Sequence, residues 1–392
     1  MKKILSVLLS ICMIFSLVTL SFAGYKESAV LQFDENGKFK MLVLADVQDD
    51  YPLESDMISF IQEALDYAQP DLVVFCGDNI NGPGTEAYAQ LLAPLAEREI
   101  PFTLVFGNHD EENAQMPKED ILKEYQKYPG CLAYDADPAL HGCATHNLPI
   151  LSSDGSAVAF NLWMFDTGDY VRSSSGEWLG YDWVREDQIA WYNSVRDAMT
   201  EENGGEVVPA MAFQHIIPQE PVNEIFLPSD IRLGEVTINF ADGTQNTVIP
   251  DITKYDGVVF EKSCPSYGND GQWDAMVQGG DVIGLVVGHD HVNNFIVNCN
   301  GIDLIQTPGC TFESYSNGMY QGARVIEIDE KNPTDYDSYI LTATKLAMEN
   351  GSSLVDDEGR TEFDLKLNFY FTKIFEIFYE ILLSFFSGNV VE

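Results

Sequence analysis

The sequence predicts an α/β fold built around a mainly parallel sheet. Short apolar runs rich in Val, Leu and Phe alternate with stretches of helical periodicity, and five runs end in residues able to bind a metal. Apolar runs of this length bounded by turn residues are typical of buried strands, and strands that alternate with helices usually pair in parallel. The five runs are residues 40–48, 71–79, 102–110, 207–215 and 282–291.

Helical periodicity separates the first three runs. After Ser55, a residue type that caps helix N-termini, Ile58 and Ile61 begin a helical repeat of apolar residues. Residues 88–98 form a second apolar helical stretch, in which Pro94 predicts a kink. Because ligands gather beyond the carboxyl ends of strands in α/β sheets, we expect the polar ends of the five runs to meet in one crevice.

The segments after the last of these runs have the pattern of antiparallel strands. Residues 294–306 contain two apolar runs about an Asn-Gly pair, which is a strong hairpin signal. Residues 323–329 and 339–344 have the composition of further strands. We therefore expect a second sheet with antiparallel pairing near the C-terminus.

The N-terminus has the features of a secretory signal peptide. Lys2 and Lys3 precede an apolar run, residues 4–20, and small residues at Ser21 and Ala23 then offer a cleavage site. We expect residues 1–23 to be removed by cleavage after Ala23. The protein would therefore be secreted or otherwise extracytoplasmic.

The last 42 residues, 351–392, are predicted to be a tail that follows a single domain, residues 24–350. In the tail, Leu367 begins and Phe386 ends a largely apolar segment whose charges fall on one helical stripe. Such an amphipathic helix can lie in a membrane interface, associate with a second copy or pack on the main domain. The charges argue against a simple membrane span.

The charge balance is strongly acidic. The 392 residues include 21 Lys and Arg against 62 Asp and Glu, a formal net charge of −41. Such a field repels polyanions, because nucleic-acid binding depends on Lys and Arg that neutralise phosphates. Nucleic acid is therefore not expected as a partner, although bound cations can still hold a small anion locally.

Six cysteines follow the predicted cleavage site, and an even number in an exported chain permits disulfides. Cys131 and Cys143 flank a loop-like stretch and form the best candidate pair. Cys76 lies in an apolar run and is interpreted as a buried free thiol. His141 and His146, within and just after this stretch, are expected at the surface.

Histidines concentrate at the ends of the apolar runs. Four of the six, His109, His215, His289 and His291, lie there beside carboxylates and amides. Two divalent cations need about four to six such ligands each, and a shared carboxylate can bridge them. Asp166 ends another strand-like run, and a structural role in a turn is the favoured interpretation for it.

Five motifs identify a resemblance to a known family. They read, in order, ADVQ, GDNING, GNHD, FQH and GHDHVN, and extend from Asp46 to Asn293. This order resembles the calcineurin-like metallophosphoesterase superfamily. The resemblance implies a four-layer α/β/β/α sandwich of two mixed sheets, with a dimetal site at the C-terminal ends of the strands. It also implies hydrolysis of phosphoesters by residues 24–350, the catalytic domain.

The resemblance assigns ligands to two divalent metal ions, Mn, Fe or Zn. The first ion would be held by Asp46, Gln48, Asp78 and His291. The second would be held by Asp78, Asn108, His215 and His289.

The resemblance also implies the catalytic roles. A hydroxide held between the metals would attack phosphorus in line. His109 would donate a proton to the leaving group, and Asp110 would orient His109. Asn293 would lie behind the ligands and support them. The substrate class is a phosphomonoester or phosphodiester, and the net charge favours small substrates.

One position departs from the family pattern. Gln48 stands where the family usually has His, which leaves two interpretations open. The amide oxygen can ligate, in which case the oxygen-rich first site favours Mn²⁺ over Zn²⁺. Alternatively, the chain is a metal-stabilised binding protein that has lost catalysis. Ile80 replaces the tyrosine of the purple acid phosphatase branch, so a purple Fe³⁺ site is not predicted.

Overall fold

The computed structural model describes residues 30–228, 236–239, 245–251, 253–316, 318 and 321–350. The predicted signal peptide and the predicted C-terminal tail lie outside these residues. Within the described ranges, no helix combines the length and the apolar character that crossing a bilayer requires.

The helices and strands follow the order that the apolar runs predict. The strands are β1 Leu31–Gln32, β2 Lys38–Leu44, β3 Leu72–Cys76, β4 Phe102–Val105, β5 His146–Leu151, β6 Val158–Met164, β7 Tyr170–Arg172, β8 Trp178–Tyr181, β9 Ala210–Phe213, β10 Phe226–Pro228, β11 Val236–Asn239, β12 Gln245–Pro250, β13 Tyr255–Val258, β14 Val282–Val287, β15 Asn294–Cys299, β16 Ile302–Gln306, β17 Gly322–Asp329 and β18 Tyr336–Thr342. The helices are α1 Ser55–Ala68, α2 Glu86–Glu97, α3 Lys118–Tyr125, α4 Glu186–Glu202, α5 Val222–Ile225, α6 Gln272–Gly279 and α7 Ala343–Asn350.

Two large mixed sheets organise these strands. One has the order β18-β17-β2-β3-β4, and the other has the order β1-β5-β6-β9-β14-β16-β15-β13. The five predicted runs are divided between them, since β2, β3 and β4 pair in parallel in the first sheet while β9 and β14 pair in parallel in the second. The expectation that the five runs share one mainly parallel sheet is therefore wrong, whereas the two mixed sheets implied by the family resemblance are confirmed.

The alternation of side chains along β2 shows how the layers stack. Met41 and Val43 lie in an apolar cluster shared with residues of β6, β9 and β14, so they face the second sheet. Leu42 and Leu44 lie in a different cluster, which contains buried residues of α1, α2, α3 and α7. A third cluster joins the outer face of the second sheet to α4 and α6. The described residues thus form an α/β/β/α sandwich with three apolar layers between its sheets and helices.

The first helix follows from its sequence pattern. Met57, Phe60, Ile61 and Leu65 are buried and recur at helical spacing, so one face of α1 packs on the five-stranded sheet. Gln69 ends this helix in a left-handed conformation, and its N–H donates to the carbonyl of Leu65. Pro94, at which the sequence predicts a kink, lies inside α2.

The C-terminal strands confirm the hairpin and correct one boundary. β15 and β16 pair antiparallel, and the connecting Asn300 and Gly301 have φ angles of 54° and 91°, the left-handed turn that an Asn-Gly pair favours. β17 and β18 pair antiparallel and join the first sheet beside β2. The last predicted strand ends at Thr342, because Ala343 already begins α7.

The predicted disulfide between Cys131 and Cys143 is not formed, and both side chains are buried. Their backbones are held at different strand ends. The backbone of Cys131 forms an isolated β-bridge with Phe102 at the start of β4. The N–H of Cys143 instead donates to the carboxylate of Asp166, which follows β6. Cys76 is buried and free, as its apolar run predicts.

His146 is buried rather than exposed, which contradicts the prediction from its loop-like surroundings. Its Nδ1–H donates to the carbonyl of Ala144 at 2.6 Å, and its Nε2 lies 2.8 Å from the hydroxyl of Thr103. The ring is therefore held neutral between two partners. Burial lowers the pKa of His146 to about 4.

This buried histidine predicts a loss of stability in acid. Because the unfolded chain binds a proton near pH 6.5 and the folded chain does not until about pH 4, the free energy of unfolding falls across that interval by about 3 kcal/mol. The His146→Gln variant should lack this part of the decline when denaturant midpoints are measured from pH 7 to pH 4. His141→Gln, which changes a partly exposed ring, should keep it. Parallel pH curves for the unaltered protein and His146→Gln would contradict the assignment.

Candidate metal centre

The predicted ligands meet where the carboxyl ends of strands from both sheets face each other. Asp46, Asp78 and Asn108 follow strands of the first sheet, and His215 and His289 follow strands of the second. All five are buried. Buried charged and polar groups need partners, so such a concentration indicates either a hydrogen-bonded network or a bound ion.

The ligands leave their strands through left-handed backbone conformations. Asp46, Gln48, Asp78 and His289 have φ angles of 52°, 42°, 53° and 75°. The N–H of Asp46 donates to the carbonyl of Gly77 at 3.0 Å, and that of Gln48 donates to the carbonyl of Asp78 at 2.9 Å. These turns and hydrogen bonds hold the backbone of Asp46 and Gln48 against the Gly77-Asp78 turn.

Two motif glycines are required by close approach. A Cβ atom at Gly77 would lie 2.4 Å from Nδ1 of His215, and one at Gly107 would lie 2.1 Å from Oδ1 of Asp78. Neither distance is compatible with a side chain. The glycines of the GDN and GNHD motifs therefore allow strand ends to pack directly against ligand side chains.

The predicted second metal has a matching donor set. Among the described residues, Oδ1 of Asn108 and Nε2 of His289 are buried without a hydrogen-bond partner, and Nε2 of His215 lies 3.1 Å from Oδ2 of Asp78. The candidate ligand atoms of Asp78, His215 and His289 all lie within 4.8 Å of one another. Unpartnered amide and imidazole acceptors around a carboxylate are what a divalent cation needs, so these residues fit the ion.

The electrostatics of this cluster favour positive charge. Burial disfavours a charged ring, yet the carboxylates of Asp78 and Asp46 raise the pKa of His215 well above its usual range. Burial and the charge of His215 lower the pKa of His289. The cluster thus draws a proton onto one histidine, at a place where a divalent cation would supply the same charge.

Neighbouring carbonyl groups orient the histidine rings. The Nδ1–H of His215 donates to the carbonyl of Cys76 at 2.9 Å, and that of His291 donates to the carbonyl of Tyr315 at 2.8 Å. Each bond leaves Nε2 as the atom that faces the carboxylates, and Nε2 of His291 lies 3.5 Å from Oδ1 of Asp46. Such bonds to the far nitrogen are typical of metal-binding histidines.

Gln48 distinguishes the predicted first metal position from the second. Its Nε2 donates to Oδ2 of Asp78 at 3.1 Å, so the amide contacts the carboxylate that would bridge the two ions. Oδ1 of Asp46 lies 3.5 Å from Nε2 of His291 and 3.9 Å from Nε2 of His215, which in turn lies 3.1 Å from Asp78. The four predicted residues are therefore together, but a hydrogen bond occupies the side of Gln48 that faces Asp78.

His109 and Asp110 have different partners from those expected. The carboxylate of Asp110 accepts three backbone N–H groups, from Asp78, Asn79 and Gly107, at 2.7–2.9 Å. Nδ1 of His109 instead contacts the carboxylate of Glu112. Asp110 thus holds the GDN and GNHD turns together, and the orienting contact expected from Asp110 is made by Glu112.

The side chain of His109 is 35% exposed, so its ring lies at the open edge of the buried cluster. Asn293, at the other end of the motif series, is buried as expected. Its Oδ1 accepts the N–H groups of Phe260 and Glu261, and its Nδ2 donates to Asp290. Asn293 therefore fixes the loop that passes behind the GHDH turn.

Three tyrosines that the sequence analysis did not identify contact the ligands. The hydroxyl of Tyr170 accepts from Nδ2 of Asn108 at 2.9 Å, which leaves the unpartnered Oδ1 for the site. The ring of Tyr181 lies 4.2 Å from that of His289, centroid to centroid. Tyr315 stacks on His291 at 4.1 Å with an angle of 3° between the rings. No short motif marks them, because they act through contacts that only the fold creates.

Comparison with known proteins defines the family. The calcineurin-like phosphoesterase family model matches residues 39–293, and the chain belongs to this family. The chain is 28% identical to "Probable inactive purple acid phosphatase 14" of Arabidopsis thaliana, over 76% of this chain and 77% of that protein. It is also 28% identical to "Phosphatase DCR2" of Saccharomyces cerevisiae, over 68% of this chain and 46% of that protein.

Among solved structures, a dimetal phosphatase from Danio rerio covers 78% of this chain and 99% of its own, with 14% identity and a TM-score of 0.43. The family match confirms the resemblance drawn from the motifs. The two-ion ligand set and the role of His109 remain predictions from that resemblance.

The hydrogen bond from Asn108 to Tyr170 predicts an effect on metal affinity. Tyr170→Phe removes the acceptor that sets the orientation of the Asn108 amide, so we expect about tenfold weaker binding of Mn²⁺ by calorimetry. Tyr181→Phe is the matched control, because the hydroxyl of Tyr181 makes no hydrogen bond within the described residues. Equal Mn²⁺ affinities for the two variants would contradict a positioning role for Tyr170.

Proposed function

We propose that this protein is a metal-dependent hydrolase of small phosphoesters. The observation that carries the proposal is the cluster around Asp78, next to the partly exposed ring of His109. In this cluster Oδ1 of Asn108 and Nε2 of His289 are buried without a hydrogen-bond partner, and Nε2 of His215 lies 3.1 Å from the Asp78 carboxylate. Substrate can reach an exposed edge, while the buried donors can hold cations. Membership of the calcineurin-like phosphoesterase family supports the reaction class.

The chemistry divides between cations and side chains. Bound divalent cations would stabilise charge on the phosphoryl oxygens and acidify water. The contact with Glu112 occupies Nδ1 of His109, which leaves Nε2 to exchange a proton with the leaving group. The partly exposed ring lets the leaving group depart to solvent.

The charge of the chain supports a small substrate. A net charge of −41 repels nucleic acids and other polyanions over the whole surface, whereas the field within the site would be set by the cations. A small phosphomonoester or phosphodiester carries less negative charge than a polyanion, so the acidic chain repels it less. Nucleic acid is not proposed as a substrate or partner.

Gln48 supports two alternatives within this proposal. In a working enzyme, the amide oxygen would ligate the first ion, and this harder, oxygen-rich position would favour Mn²⁺ over Zn²⁺. In a metal-stabilised binding protein without catalysis, the amide would keep its hydrogen bond to Asp78. The second alternative has support in relatives such as "Probable inactive purple acid phosphatase 29" of Arabidopsis thaliana, to which the chain is 28% identical. We favour the enzyme, because the other predicted ligands surround the same carboxylates.

The direct test is hydrolysis by metal-stripped protein refilled with Mn²⁺, Zn²⁺, Fe²⁺ or Mg²⁺. We expect turnover of a chromogenic phosphomonoester or its diester counterpart, highest with Mn²⁺. His109→Ala should lower kcat by about a hundredfold or more, because it removes the proton donor, while metal content stays unchanged. The absence of turnover with every metal, in protein that binds the ions, would support the binding protein instead.

Gln48→His provides the matched variant for the departure from the family pattern. Imidazole suits Zn²⁺ better than an amide oxygen does, so the substitution should shift the optimum from Mn²⁺ toward Zn²⁺. An unchanged metal preference would remove the role proposed for Gln48 as a ligand. Turnover that appears only in Gln48→His would identify the natural chain as a non-catalytic descendant.

We also propose that the protein acts outside the cytoplasm, on the basis of the charged start, the apolar run and the small residues before Ala23. Sequencing the N-terminus of protein recovered from the extracytoplasmic fraction should yield Gly24 as the first residue. Recovery of uncleaved chain from the cytoplasm alone would contradict the proposal.

A further inference from the structure

A short hairpin stands beside the candidate metal centre. It consists of β7 and β8, which pair antiparallel apart from the large sheets. Tyr170 at its start contacts Asn108, and Tyr181 at its end packs against His289. Both ends of the hairpin therefore touch predicted ligands of the same ion.

The hairpin carries a continuous set of aromatic rings. The ring centroids of Tyr170 and Tyr181 are 5.9 Å apart, and those of Trp178 and Tyr181 are 5.8 Å apart. Trp178 is 51% exposed. A single exposed aromatic residue needs no explanation, but these rings extend from solvent to the wall of a buried polar site, where a ligand could lie.

Contacts at the base of the hairpin hold it in place. The carbonyl of Tyr181 accepts the N–H of Tyr267 at 2.8 Å. Nζ of buried Lys118 lies 3.1 Å from Asp166 and 2.6 Å from Asp169, immediately before β7. The aromatic rings are thus positioned before a ligand arrives, which lowers the entropic cost of binding.

The position of His109 indicates which part of a substrate would meet these rings. Its ring lies 6.3 Å from that of Tyr170, centroid to centroid. A proton donor must be within reach of the leaving-group oxygen, so the leaving group lies on the side of the site where His109 and the hairpin meet. The phosphoryl group would lie further in, beside the buried ligand residues Asn108, His215 and His289.

We propose that Tyr170, Trp178 and Tyr181 form a hairpin subsite that binds the planar aromatic ring of the leaving group. This inference rests on the proposed phosphoester hydrolysis and specifies its substrate class. Aromatic rings stack with offset or edge-to-face geometry, and the exposed Trp178 offers a large surface for such contact. An aryl group and a nucleobase share this chemistry.

The test compares analogues that bind without reacting, because a C–P bond replaces the ester bond. Calorimetry on the full-length, Mn²⁺-loaded protein would measure benzylphosphonate against cyclohexylmethylphosphonate, which matches it in charge and approximate size. We expect about tenfold tighter binding of the aromatic analogue. Trp178→Ala should reduce this preference to about twofold, and Trp178→Phe should keep most of it. A nucleoside phosphonate in the same series distinguishes a nucleobase from a simple aryl group.

The controls separate the subsite from other effects. Tyr339→Ala removes an exposed aromatic side chain on β18 and should leave the preference unchanged. Metal content is measured for every variant, since a lost ion would weaken both analogues equally. Equal affinities of the unaltered protein for the two analogues, or a preference that survives in Trp178→Ala, would overturn the hairpin subsite. Aromatic preference in a protein that hydrolyses no phosphoester would instead overturn the hydrolase and retain the subsite.

Discussion

The left-handed turns at the strand ends are the constraint on which the site depends. In a regular strand, Asp46 and Gln48 would point to one face and Val47 to the other. Such a strand would continue in its own direction and would not turn toward the neighbouring sheet. Positive φ angles at Asp46, Gln48, Asp78 and His289 turn each chain into the crevice instead. Each such angle costs roughly 1–3 kcal/mol in a residue other than Gly, so the surrounding structure has to hold it. Clusters of this kind are typical of functional sites.

Asp110 provides much of that support. Its buried carboxylate binds backbone N–H groups on two neighbouring turns, which would otherwise be buried donors without partners. The apolar layer between the sheets supplies the rest, because Met41 and Val43 on one sheet pack in the same cluster as Phe213 and Val286 on the other. The crevice thus lies at the edge of a close-packed interface, and the distances between ligands follow from the packing of two sheets.

The sequence predicts those features that depend on local pattern. Apolar runs ending in His, Asp and Asn predict the strands and their polar ends, and Asn300-Gly301 predicts its hairpin, because each signal is contained in a few adjacent residues. The division of the runs between two sheets cannot be read from them, since parallel strands of either sheet have the same composition. The two sheets were predicted only because the order of the motifs resembles a family whose fold has two mixed sheets.

Contacts between distant segments explain what the sequence missed. His146 appeared to be a loop residue until Thr103, 43 residues earlier, was placed against it. Tyr170 is 62 residues from Asn108, and Tyr315 is 24 residues from His291, so no spacing rule relates them. Glu112, and not Asp110, contacts His109, because backbone N–H groups of two turns donate to the Asp110 carboxylate. These are products of tertiary structure, whereas the ligand types themselves are products of the motifs.

The central claim is that Asp78 and the donors around it form a cation site. Its most direct test is the metal content of purified protein equilibrated with Mn²⁺, for the unaltered chain, for Asp78→Asn and for Asp303→Asn on β16 as a control. The unaltered chain and Asp303→Asn should retain Mn²⁺ through gel filtration, whereas Asp78→Asn should lose most of it because the shared carboxylate is gone. Full retention of Mn²⁺ by Asp78→Asn would contradict the account.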